Sequence, residues 1–263
     1  MSREVWSQTL YQQRRALLGW VLGIAGVSVL YAGFYPSVSA PEFADAYASM
    51  PSGVIDAFGM QDLASPAGYL GSTVFGILGP VLVMVFAIGW GARFIAGDEQ
   101  SGVLDLLLAH PVSRPSVVLQ RALTLVLGLV ALGVTVVVAV RVVSGPADLD
   151  VGVGQLAAAS LHLVALGLAM GAVTLAIGAA TGSKAAAIGG GAVVAVLSWM
   201  ANALAPQAEA LSWLTEVSPF SWYSQGQPLV SGVQWGDVGL LVALAAVAVA
   251  VGLAFFRRRD LMV

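Results

Sequence analysis

Few side chains in this sequence could do chemistry. It holds 2 histidines, 14 acids, 11 basic residues and no cysteine. Disulfides, Cys-based metal sites and thiol nucleophiles are therefore excluded. His110 and His162 belong to no His-Glu-x-x-His pattern, and no acidic cluster falls within an apolar run, so zinc or di-metal chemistry has little to work with. The serines lack a His–Asp pair at any motif spacing. Gly182-Ser183-Lys184 resembles only the tail of a Gly-x-x-x-x-Gly-Lys-[Ser/Thr] phosphate loop, which the chain does not contain. No catalytic, cofactor-binding or metal-ligating residue is expected.

What remains is a charged island, residues 97–114, between two long apolar runs. An Asp, Glu or Arg at the bilayer centre costs roughly 2.5–3.5 kcal/mol, so the island must face solvent. Asp98 and Glu99 suit the start of a helix. Val103, Leu104, Leu106, Leu107 and Leu108 then give a short helix a broad apolar surface around Asp105. Pro111 ends it, and Ser113-Arg114-Pro115 restarts the chain, with Pro115 suited to a first helical turn. Two readings stay open here: an interfacial helix that only connects two spans, or a rigid apolar-faced rod offered to the groove of a partner.

The elements that position the island are membrane spans. The chain is 59% hydrophobic and 10% charged, against about 25% charged for an ordinary soluble domain, and its mean hydropathy is +0.90. Six segments reach the roughly 20 residues that a bilayer core requires: 16–35, 71–96, 117–143, 156–180, 185–205 and 238–256. Only Thr181 to Lys184 separate the fourth and fifth, which predicts a helical hairpin. With both termini in the cytoplasm, Arg141 alone among the 11 basic residues falls outside. The acids lean outward, as at Glu42, Asp148, Glu216 and Asp237, and the pattern obeys the positive-inside rule. No cleavable signal peptide is evident.

The expected architecture is an all-α membrane protein, one transmembrane domain over 1–263. Residues 1–15, with Val5, Trp6, Leu10 and Tyr11 at helical spacing, suggest an interfacial helix. The loop 36–67 is rich in Pro, Ser, Ala and acids, with a few apolar residues. The external segment 206–237 holds Trp213, Phe220, Trp222, Tyr223 and Trp235 with three prolines, which suits short helices dipping into the outer leaflet. Gly19-x-x-x-Gly23, Gly167-x-x-x-Gly171, Gly178-x-x-x-Gly182 and the run Gly189–Gly191 permit close helix approach. His162 and Arg141 are the ionisable residues near the external ends of spans. Each is either a substrate or proton contact, or a structural group: Arg141 snorkelling outward, His162 bonded to a neighbouring helix.

Glu99, Ser101-Gly102-Val103-Leu104, Asp105-Leu106-Leu107 and Pro111-Val112-Ser113-Arg114 resemble, in order, the motif of the ABC-2-type permeases, the membrane subunits of ABC exporters. Val103 stands where that family usually has Thr, and Asp105 where it more often has Glu. Arg93, Ser218-Pro219-Phe220 and the stretch from Phe256 to Leu261 are further echoes. The resemblance implies a permease subunit that is not itself an enzyme and binds no cofactor. ATP and Mg2+ would sit in a separate ATPase subunit, and a second permease copy or a homologous permease would complete the pathway in a prokaryotic cytoplasmic membrane. No nucleic-acid partner is expected.

By the same resemblance, 97–114 would be the coupling segment, with Asp98, Glu99, Gly102, Val103, Leu104, Asp105, Leu106, Leu107 and Arg114 as its residues. Glu99 would be a polar or ionic contact near the ATPase, Leu104, Leu106 and Leu107 would pack in its groove or against the spans, and Arg114 would be a surface charge. Phe220, Trp222, Tyr223 and His162 would serve the pathway or its gate. Competing classes are an ATP-independent secondary transporter or channel, which calls for intramembrane carboxylates or an inverted repeat, and an intramembrane enzyme or assembly factor.

Overall fold

A computed structural model describes residues 4–40, 62–63, 65–109, 112–204 and 211–259, with residues 4–8 as backbone only. Expectations placed on Arg3, His110, Pro111, most of the 36–67 loop, Glu209 and the stretch after Arg259 lie outside them. The described residues are helical, with no strand among them. Six helices or helical runs are long and apolar enough to cross a membrane, as the hydropathy pattern predicts. They are built from α1 (Glu4–Gly33), followed by α2 (Tyr35–Val38); α3 (Pro66–Ser72) with α4 (Gly79–Ala92) and α5 (Asp98–Gln100); α7 (Arg114–Ser144), α8 (Val153–Thr181), α9 (Lys184–Leu204) and α13 (Trp235–Arg258). The short α6 (Val103–Leu108) follows α5, and α10 (Trp213–Val217), α11 (Pro219–Ser224) and α12 (Pro228–Ser231) precede α13.

One expected element is not separate. Residues 4–15 run without a break into the first span as part of α1. The stretch from Glu4 to Leu18 contains neither Gly nor Pro, so nothing interrupts helix propagation once it has started. Among the described residues, 4–15 are thus the first turns of one 30-residue helix.

The second span is interrupted twice. Val74–Leu78 and Arg93–Gly97 wind as π-helix on either side of α4. The first follows from Pro80. In the wider ladder Gly79 N–H bonds Val74 O, and the next donor in that register would be Pro80, which has no N–H to give to Phe75 O. The second π segment feeds directly into α5, so Asp98 continues a helical run and does not start one. The break comes at Gly102, whose φ of 72° lies in the left-handed region, accessible to glycine without a Cβ clash. Ser113 caps α7, accepting from Ser116 N–H, with Pro115 in the first turn.

α8 is the axis of the bundle. It packs against α4, α7, α9, α12 and α13, and 72% of its most apolar stretch is buried, against 17% for α1, which leans mainly on α7. Small residues make this possible. A Cβ on Gly167 would come within 2.5 Å of Val83 and 2.7 Å of Leu129, and one on Gly171 within 2.7 Å of Leu125. That motif is a true crossing. Gly190 and Gly191 likewise sit tight against Ile177 and Thr174. Gly182 instead makes the turn between α8 and α9 with φ 67°, and Gly19 and Gly23 have nothing within 4 Å. Similar spacings therefore make a crossing, a turn, or no close contact at all.

Candidate functional site

The first turns of α1, the end of α13 and the charged island meet at one end of the bundle. Asp98 and Glu99, adjacent in sequence, point to different partners. Asp98 forms an ion pair with Arg121 of α7, their side chains 15% and 5% exposed. Arg121 also donates from Nη1 to Thr9 Oγ1 of α1 at 2.5 Å, and its guanidinium lies 5.5 Å from the Phe94 ring centroid. One carboxylate thus ties the island to two spans.

Glu99 holds Arg259, beyond the end of α13, through both carboxylate oxygens. Arg259 Nη1 in turn donates to Ala179 O near the end of α8 at 3.2 Å, and its guanidinium lies against Gly182, where a Cβ would have to displace it. Arg114 Nη1 donates to Phe256 O at 3.2 Å and Arg259 O at 2.9 Å, satisfying carbonyls that the end of α13 leaves without intrahelical donors. Placed by these contacts, Glu99 makes its ionic contact within the chain, with its side chain 8% exposed. Arg114 is half-buried and caps the end of α13.

α6 rests on this clamp. Leu104 is fully buried against the spans, Leu107 and Leu108 are half-buried, and Val103, Asp105 and Leu106 face out, Leu106 being 71% exposed. The sequence could not divide the leucines in this way. Here the left-handed turn at Gly102 sets the rotation of α6, sending Leu104 inward and Leu106 outward.

The opposite end is closed by neutral groups. Ser218 caps α11, accepting from Ser221 N–H, and donates to Ser198 O of α9 at 2.8 Å. Phe220 N–H donates to Ser198 Oγ at 2.9 Å, and Ser221 Oγ to Asn202 Oδ1 at 3.0 Å. Tyr223 Oη donates to Phe75 O, the carbonyl orphaned by Pro80. Burial pushes the Tyr223 phenol well above its ordinary value of 10.0. Phe220 and Tyr223 are buried with ring centroids 5.6 Å apart. Trp222 is half-buried and its Nε1–H donates to Glu216 O at 2.8 Å. Trp213 and Trp235 are exposed, as aromatic residues at a membrane interface are.

His162 is fully buried within α8, its Nδ1 2.9 Å from Ala158 O and its Nε2 without a hydrogen-bond partner among the described residues. Arg141 is exposed near the end of α7, beside a cavity of about 310 Å³ shared with Asp148 and Asp150. No group of three His, Cys, Asp or Glu that could hold a metal occurs among the described residues.

Sequence reasoning missed Arg121, Arg259, Ser198 and Asn202 as site residues. Arg121 carried a usable signal: it lies two turns inside a span, where a cation needs a counter-charge. Arg259 carried none, because nothing distinguishes it from Arg257 and Arg258 beside it. A family model described as "ABC-2 family transporter protein" matches residues 6–261. No curated protein matches the chain.

Proposed function

This chain belongs to the ABC-2 family of transporter proteins, and from that premise we propose that it is the permease subunit of an ATP-driven ABC exporter. Membership makes it a membrane transport component of the ABC type. The finer reading is that two permease copies, or this one and a homologue, form the pathway, and that a separate subunit binds ATP and Mg2+. The end holding the charged island would face the cytoplasm of a prokaryotic cell.

The observation that supports this best is α6 itself. Val103 and Leu106 are exposed beside an exposed Asp105, a combination suited to a partly polar partner surface and poorly suited to hydrocarbon. The helix is not loosely tethered. Asp98 and Glu99 join its base to α7, α1 and the α8 and α13 ends. A push on α6 by an ATPase would therefore reach several spans at once. The π segment Arg93–Gly97, between α4 and this base, is a place where the second span could rewind at low cost.

The test is a gentle-detergent pull-down of the tagged chain from its own host. A near-stoichiometric P-loop ATPase, lost in Val103→Asp and Leu106→Asp while the chain still inserts, is the expected result. A chain that purifies alone and moves solute without ATP overturns the reading and turns attention to the unpaired Nε2 of His162.

A further inference from the structure

Beside the clamp lies a cavity of about 730 Å³ whose rim includes Val103 of α6, while its basic residues Arg93 and Lys184 lie outside the coupling segment. Its walls come from α1 (Gln12, Gln13), the second π segment (Arg93), the Ser101 turn, α7 (Arg121) and the start of α9 (Lys184). Its charge is unbalanced. Three cations line it, and the one carboxylate in its wall, Asp98, is already paired with Arg121. Arg93 lies near enough to that pair to act on both charges. Neither Arg93 nor Lys184 makes a salt bridge among the described residues. Gln12 and Gln100 add neutral donors.

The level of the cavity narrows the ligand. Gln12 and Gln13 come just before the apolar run of α1, Arg93 just after that of α4, and Lys184 just before that of α9. Three spans therefore bring their polar ends together at headgroup depth. Basic pockets between helices at this depth suit lipid phosphates, and the volume lies in the range of small-molecule sites.

We propose that this cavity binds a phosphate ester, with Arg93 and Lys184 contacting the phosphate oxygens and Arg121 holding the wall behind them. The source is either an inner-leaflet anionic lipid headgroup or a soluble phosphate. The proposal rests on the membrane reading of the chain and not on its pairing with an ATPase, so the two fail separately.

The experiment uses the purified full chain in neutral detergent, with bound phosphatidylglycerol counted by native mass spectrometry against phosphatidylcholine, and sodium phosphate as a competitor. In Arg93→Gln/Lys184→Gln, phosphatidylglycerol affinity should fall by about tenfold or more. In Arg257→Gln/Arg258→Gln, which removes two exposed charges at the same end but outside the cavity, it should hold. Displacement by sodium phosphate assigns a soluble phosphate; binding that only the lipid supports assigns the headgroup. Unchanged affinity in the first pair, or an equal fall in the second, overturns the site. So does a loss of ATPase capture in the first pair with lipid binding intact, which would give the cavity to the partner protein.

Discussion

The two ends of this bundle are held by different chemistry. At the end with the charged island, ion pairs join separate elements: Asp98 with Arg121, Glu99 with Arg259. At the other end, α11 is fixed to α9 and to the second span by neutral hydrogen bonds from Ser218, Ser221 and Tyr223. Coulomb attraction falls slowly with distance and depends little on angle, whereas a neutral hydrogen bond weakens steeply when misaligned. The charged end can thus shift by fractions of an ångström and stay joined. The neutral end keeps one geometry. If an ATPase docks on α6, as proposed, that division would put compliance at the end where the force arrives.

The largest expected effect comes from Arg121→Gln, which strands the largely buried Asp98 carboxylate. It should lower stability by about 3–5 kcal/mol, read as the thermal midpoint in detergent, and adding Asp98→Asn should restore much of the loss. A variant as stable as the parent would show that the pair holds nothing.

Glu99→Gln should cost less, about 1.5–3 kcal/mol, because Arg259 is more exposed and keeps its bond to Ala179 O. Tyr223→Phe tests the neutral end. It leaves Phe75 O without its side-chain donor and should cost about 1–2 kcal/mol, with little change between low and high salt. The same residue gives a pH signature. Because the folded state raises its phenol above 10.0, the unfolded chain loses that proton first. Stability should therefore decline as pH rises through about 10, and Tyr223→Phe should flatten the decline. An unaltered alkaline profile in that variant would remove Tyr223 from the account. Leu106→Asp should have the smallest effect, within about 0.5 kcal/mol on stability, yet abolish ATPase capture.

The spans were legible because length, apolar content and a lack of charge mark them without reference to anything else. So were the α8–α9 hairpin and the Pro115 start of α7. The site was legible as a segment and not as a geometry. Asp98 and Asp105 are the same residue type seven apart, yet one is clamped inside and the other faces out. Leu104 and Leu106 divide in the same way. The difference follows from the turn at Gly102 and from where Arg121 happens to lie across the bundle. Gly19 and Gly167 begin motifs of equal spacing, but only the second meets a neighbour.

By itself the sequence determined a helical membrane chain with one charged segment between spans and aromatic residues gathered before the last. Hydropathy and helix periodicity are properties of neighbours along the chain, so they need no fold to be read. The tertiary structure alone decided which acids are anchors, which leucines remain on offer, and that Pro80 frees a carbonyl for a tyrosine 148 residues away. Those facts depend on contacts across the bundle, and helix rotation, which selects them, leaves no trace in residue order.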